Sequence, residues 1–192
     1  MNFGHYNITV LILLIVLLYP IFNWLLNLID RQGFKKFQAP SIVTIISGVI
    51  LLINNSLWDI KPFNPILIDV PVISGKYTGR VDIRHLDTLK NEMPEVEVKI
   101  KQTGTSTYFD LYSKGGSHSR GIISDLIKEN GIWYLYTIYS NENNKNPENK
   151  NIYEGTSKFE ISIEKDSTIL KGRFYTDDSR KSYGTIYLKK EN

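Results

Sequence analysis

Cysteine is absent from the 192 residues, which excludes disulfides and thiolate chemistry and suits either side of a bacterial membrane. Histidine is scarce. His5, His85 and His118 are scattered without metal-ligand spacing, so each reads as a surface histidine and no metal site is expected. There is no phosphate-binding glycine loop, no zinc signature and no Gly-x-Ser-x-Gly elbow, and the abundant serines have no evident activating base. Glu95 and Glu97 lie two apart on a strand with Lys99 and Lys101 following, the pattern of a solvated edge. These absences leave no catalytic residue to nominate and argue against an enzyme. Excess charge of one sign is missing too: residues 69 to 192 carry 19 basic and 18 acidic side chains, so this part has no electrostatic case for binding a nucleic-acid polymer.

What the first sixty residues lack is charge, over two long stretches. The run from Tyr6 to Ile29 contains none. At about 1.5 Å per residue it is long enough to cross a hydrocarbon core of about 30 Å. A second uncharged run, from Ser41 to Leu57, is shorter, and its end near Trp58 suits a membrane interface. A cleaved signal peptide is disfavoured for the first run, because no Lys or Arg precedes Arg31 and Ala39 is the single alanine in the chain. The expectation is a transmembrane hairpin over residues 1–60, a linker over 61–72 and one soluble domain over 73–192.

Within the first span Asn23 and Asn27 share a helix face beyond Pro20, and in the second Thr44, Ser47 and Gly48 fall with Ser41 on a small-residue strip. The two faces are expected to meet within one hairpin, with pairing between protomers as the alternative. Arg31, Lys35 and Lys36 lie between the spans and Lys61 beyond them, so charge counting alone puts the loop inside and the domain outside the cytoplasm.

The remainder alternates with period two. Apolar rows run through Tyr77, Gly79, Val81 and Ile83; Val96, Val98 and Ile100; Thr107, Phe109 and Leu111; Ile123 and Ile127; and Trp133, Leu135, Thr137 and Tyr139. They continue through Phe159, Ile161 and Ile163; Leu170, Gly172 and Phe174; and Gly184, Ile186 and Leu188. Lys114-Gly115-Gly116, Asn130-Gly131, Lys165-Asp166-Ser167 and Asp177-Asp178-Ser179 supply turns between them. Eight such strands without a helix predict an all-β domain, an antiparallel up-and-down β-barrel with room for one small ligand. The Asn-rich stretch from Asn141 to Asn151 reads as a solvated excursion.

Polar residues that interrupt the inward rows, Gln102, Ser113, Thr137 and Tyr139, suit a lumen, and Arg180 near the last turn suits a phosphate. Strand ends are polar in any sheet, so both readings stay open.

The order of segments resembles a family of bacterial antiphage effectors, the two-transmembrane β-barrel effectors of the cyclic-oligonucleotide-based antiphage signalling system. Ile73-Ser-Gly-Lys-Tyr-Thr-Gly79 is similar to the opening of that family's barrel, and Val98-Lys-Ile-Lys-Gln-Thr103 to its second strand. Tyr112-Ser-Lys-Gly-Gly-Ser-His-Ser119 resembles its serine-rich hairpin, and Trp133-Tyr-Leu-Tyr-Thr-Ile-Tyr139 its aromatic strand. Tyr153-Glu-Gly-Thr156, Leu170-Lys-Gly-Arg-Phe-Tyr-Thr176 and Arg180-Lys-Ser-Tyr-Gly184 resemble its last strands. Where the family often has an aromatic residue after Gln-Thr, this chain has Gly104.

The resemblance implies a sensor-effector with no chemistry and no cofactor of its own. Its ligand would be a cyclic dinucleotide made by a partner nucleotidyltransferase. Binding would drive homo-oligomerisation of the hairpins and disruption of the bacterial inner membrane, ending in abortive infection. The barrel would then face the cytoplasm, against the charge count. Gln102, Thr103, Ser117, Ser119, Tyr136, Tyr139, Tyr175 and Arg180 are the candidate ligand contacts, with Asn23, Asn27, Thr44, Ser47 and Gly48 for assembly in the membrane. A tethered carrier of apolar ligands and a plain protein-docking module are the alternatives.

Overall fold

Alternation of apolar and polar residues, punctuated by tight turns, rolls the larger part of the chain into a closed cylinder. The computed structural model describes residues 3–31, 42–85, 91–143, 152–165, 167–177 and 181–191. The loop between the two apolar runs, with Ser41, and the turn carrying Arg180 lie outside them. Two compact units are present, residues 1–70 with 103–105, and residues 71–102 with 106–192.

In the first unit, α1 (Ile8–Arg31) starts at Asn7, whose Oδ1 accepts the Val10 N–H at 3.3 Å and so satisfies an orphan donor of the first turn. The residues before it pair with a returning segment: the Asn7 N–H donates to the Leu67 carbonyl at 2.8 Å, and Tyr6 bridges Ile68. Residues 8–29 of α1 are long and apolar enough to cross a membrane, and their side chains are exposed or half-exposed. The second run forms α2 (Ile42–Leu52), which continues into a π-helical turn (Ile53–Leu57) and makes a shorter apolar helix than α1. A short helix, α3 (Phe63–Ile66), follows. Asn54 is buried in the π turn, accepting from the Tyr6 hydroxyl at 3.2 Å on its side chain and from the Gly104 N–H at 2.9 Å on its backbone.

The other unit is the barrel. Its strands are β1 (Gly75–His85), β2 (Asn91–Glu92), β3 (Glu95–Gln102), β4 (Thr107–Ser113), β5 (Ser117–Glu129), β6 (Ile132–Asn143), β7 (Ile152–Glu164), β8 (Ser167–Thr176) and β9 (Ser182–Lys190). All pairings are antiparallel and follow chain order, and β1 closes on β9 from Tyr77↔Lys190 to His85↔Ser182. Eight long strands thus make the up-and-down barrel, with the two-residue β2 as a spur on β1. The β5–β6 hairpin turns at Asn130-Gly131, both at positive φ (50° and 83°), the geometry that such a two-residue loop requires.

Inward rows fill one end of the cylinder with Tyr77, Val98, Leu135, Phe159, Leu170 and Leu188, all fully buried. Three inward glycines make room for rings rather than for turns. A Cβ on Gly172 would lie 2.5 Å from the Phe159 ring, one on Gly155 2.5 Å from the Tyr139 ring, and one on Gly184 2.7 Å from the Phe174 ring. Aromatic rings therefore cover the bare backbone of neighbouring strands.

One row departs from expectation. Ile123 and Ile127 are 61% and 41% exposed, while Leu126 is buried. A register shift between Gly121 and Ile123 adds a residue to β5 and reverses which side chains face in. The same irregularity leaves the β4–β5 ladder only three residue pairs long, Asp110↔Arg120 to Tyr112↔His118. The excursion expected to begin at Asn141 begins later, because β6 extends through Asn143.

Candidate functional site: the open end of the lumen

The inward rows change character along the barrel axis. The end where β3 finishes and β4 begins is sealed, and the opposite end, which carries the β4–β5 hairpin and where β6 and β8 finish, is hollow. At the sealed end Gln102 faces inward but is already occupied. Its Nε2 donates to the Pro71 carbonyl and its Oε1 accepts the Ile73 N–H, each at 2.9 Å. The Tyr77 hydroxyl donates to the Ile73 carbonyl at 2.7 Å. Burial of that phenol pushes its pKa far above the ordinary value, so it remains a neutral donor.

At the hollow end a cavity of about 580 Å³, counting its open mouth, is floored by apolar side chains including Val81, Val96, Phe109 and Phe174. Its wall also carries neutral polar groups from five strands: Ser113, Ser117, Ser119, Asn141, Ser157 and Thr176, with the Tyr139 ring lying across Gly155. Ser119 and Asn141 are opposite each other across the β5–β6 ladder, and Asn141 Nδ2 donates to Ser119 Oγ at 2.6 Å. Asn141 is only 6% exposed, yet its Oδ1 has no hydrogen-bond partner. A buried acceptor left unpaired costs about 1–3 kcal/mol. Thr176 is satisfied by contrast, its Oγ1 accepting the Ser182 N–H at 2.8 Å.

Of the eight residues expected to contact ligand, the structure brings Ser117, Ser119 and Tyr139 together at this cavity. The others lie elsewhere or outside the described residues. Gln102 belongs to the opposite end, for the reason just given. Thr103 sits in the β3–β4 turn, where its Oγ1 accepts the Thr105 N–H at 3.4 Å. Tyr136 points out of the barrel, its hydroxyl donating to Glu129 and its ring lying 4.9 Å from the Lys158 ammonium. Tyr175 also points out and is 55% exposed, since it neighbours the inward Phe174 on one strand. Arg180 lies outside the described residues.

Gly104 owes its identity to packing. A Cβ there would approach Ile68 Cδ1 to 2.7 Å and Asn54 Oδ1 to 2.9 Å, so no aromatic side chain fits.

Asn141, Ser157 and Thr176 also line the cavity and were not among the eight, although parity could have pointed to them. Asn141 is two residues beyond Tyr139, Ser157 two before Phe159 and Thr176 two after Phe174, each on its strand's inward side.

Assembly residues expected to meet within the hairpin do not. Asn23, Asn27, Thr44, Ser47 and Gly48 are all exposed, and a Cβ on Gly48 would have nothing within 4 Å. Both polar faces are therefore turned away from the contact between α1 and α2.

No curated protein matches the chain. A family model does: the Cap15 cyclic dinucleotide receptor domain matches residues 68–190, the barrel almost end to end and well over half of the sequence. That domain is a binding module of antiphage signalling rather than an enzyme, which agrees with a cylinder whose open end is walled by hydrogen-bonding groups and apolar side chains. The chain belongs to the Cap15 cyclic dinucleotide receptor family.

Proposed function

We propose that this protein is a membrane-anchored antiphage effector in which a cyclic dinucleotide entering the open end of the lumen drives the N-terminal helices to assemble and breach the inner membrane. The cavity with its polar wall groups carries this reading. It pairs flat apolar surfaces with neutral donors and acceptors, the combination a nucleobase needs, and a purely apolar cargo would leave those groups unsatisfied. The exposed apolar length of α1 supports anchoring. The outward placement of Asn23 and Asn27 on one helix and of Thr44, Ser47 and Gly48 on the other favours pairing between protomers. For the ligand to act as a switch, it must bind the assembled state more tightly than the resting one. Because the messenger is made in the cytoplasm, the barrel faces that side, and the basic loop between the spans is an exception to charge counting.

The test is calorimetry of the full chain in detergent micelles against a panel of 3′,5′-linked cyclic dinucleotides, followed by dye release from liposomes carrying the protein. Saturable binding of one or two members, with release triggered by the same members, is the expected result. Binding without release would remove the effector half of the proposal. No binding by folded protein would remove the receptor half.

A further inference from the structure

The cavity's chemistry says which part of the ligand goes in. Among the described residues lining it, none carries a formal charge; the polar groups are hydroxyls and one amide. A phosphate drawn into such a space would shed its water without gaining a counter-charge, which is strongly unfavourable. A nucleobase would not meet that obstacle, because it is flat, uncharged and edged with donors and acceptors.

The edge it would meet is specific. Asn141 Nδ2 is used by Ser119 Oγ, which orients the amide and leaves Oδ1 as a buried acceptor without a partner. Ser119 Oγ receives that bond, so its own proton is directed elsewhere. An acceptor and a donor thus stand side by side on adjacent strands. Buried polar atoms in folded proteins are almost always paired, and an exception inside a cavity marks a group kept for a ligand.

Resting on the receptor reading above, we propose that the lumen takes one base of the cyclic dinucleotide edge-on, with Asn141 Oδ1 accepting a base N–H, Ser119 donating to the neighbouring ring acceptor, and the phosphates held at the mouth. Recognition of this kind demands a base that carries an N–H on the inserted edge. Adenine through its amino group and guanine through its imino and amino groups both qualify, whereas unsubstituted purine has no N–H to offer.

Three forms of the full chain in detergent decide it: wild type, Asn141→Leu and Ser119→Ala. Each is titrated by calorimetry with cyclic diadenylate, with cyclic diguanylate and with the analogue bearing unsubstituted purine at both positions, and each is melted without ligand. Wild type is expected to bind one of the natural ligands at least tenfold more tightly than the purine analogue. Asn141→Leu should bind both about equally and weakly, and its melt without ligand shows whether it is folded, since the leucine removes the unpaired acceptor and also the amide bond to Ser119. Ser119→Ala should lose part of the same discrimination, which keeps the test open should the leucine variant fold poorly. A wild type that binds the purine analogue as tightly as its natural ligand overturns the inference and leaves the receptor reading standing. So does an Asn141→Leu protein that keeps the full preference. A folded wild type that binds nothing on the panel overturns the receptor reading itself.

Discussion

The two ends of one lumen differ in chemistry although residues of the same parity build both. At the sealed end the inward positions of β1, β3, β6, β7, β8 and β9 are Tyr77, Val98, Leu135, Phe159, Leu170 and Leu188, all fully buried. Towards the hollow end the rows of β6, β7 and β8 continue into Asn141, Ser157 and Thr176, and that of β4 ends in Ser113. Burial at the first end stabilises the fold by roughly 25 cal/mol per Å² of apolar surface. That stability lets the second end keep polar groups that contribute little to folding, including one without a partner. If the ligand enters as proposed, folding and recognition are thereby separated along the axis of a single sheet.

The separation can be broken most visibly at Phe159. Phe159→Ala should cost about 3–5 kcal/mol in urea unfolding, since the ring fills the sealed end, covers Gly172 and packs 5.4 Å from Phe109. Gly155→Val, at the hollow end, should act on ligand instead. Its Cβ would lie 2.5 Å from the Tyr139 ring and 2.6 Å from the Tyr175 carbonyl, so the ring must leave its seat and the strand must yield somewhat, and calorimetry should show at least a tenfold loss of affinity, larger than the accompanying loss of stability. Were that loss matched by an equally large fall in stability at the hollow end, the division of labour would be wrong.

Tyr77→Phe sharpens the comparison on a finer scale. It removes a buried hydroxyl that donates to the Ile73 carbonyl and is also hydrogen-bonded with Thr168, and should cost about 1–3 kcal/mol without altering ligand affinity. The smallest effect lies outside the lumen altogether. Hydrogen bonds from Lys158 and then Tyr136 hold the Glu129 carboxyl below the usual carboxylate range. A depressed folded-state pKa contributes stability above that range and loses it as pH falls through the folded value. Glu129→Gln should therefore lower the melting temperature slightly at neutral pH, and the gap should close in acid below about pH 4.

How much of this could be read beforehand follows the same axis. Strand number, closure and the sealed core were legible because long period-two rows such as Val96, Val98 and Ile100 leave no other way to hide their apolar face. The bulge at Gly121 was not, since one inserted residue in β5 has no signature in composition yet reverses the side chains beyond it. Tyr136 and Tyr175 were nominated for chemical aptitude, and strand parity turns both outward. Asn141 was concealed by its neighbours: in an Asn-rich stretch it reads as loop, and only the length of β6 shows it to be an inward strand residue. In the hairpin, charge-free length identified α1, but which face of each helix meets the other depends on packing that periodicity does not encode.

The three-pair ladder between β4 and β5 has a consequence in time rather than in space. Every other neighbouring pair of long strands is fastened along more of its length, so this seam is where the cylinder costs least to open. Deuterium should enter the β5 amides beyond Gly121 before it enters the strands opposite. Leu111 and Ser119 face each other across the fastened part of that seam and both border the cavity, so an occupant touching the two would act as a clasp. Occupancy would then be recorded as slowed exchange along one strand, including amides that no ligand touches.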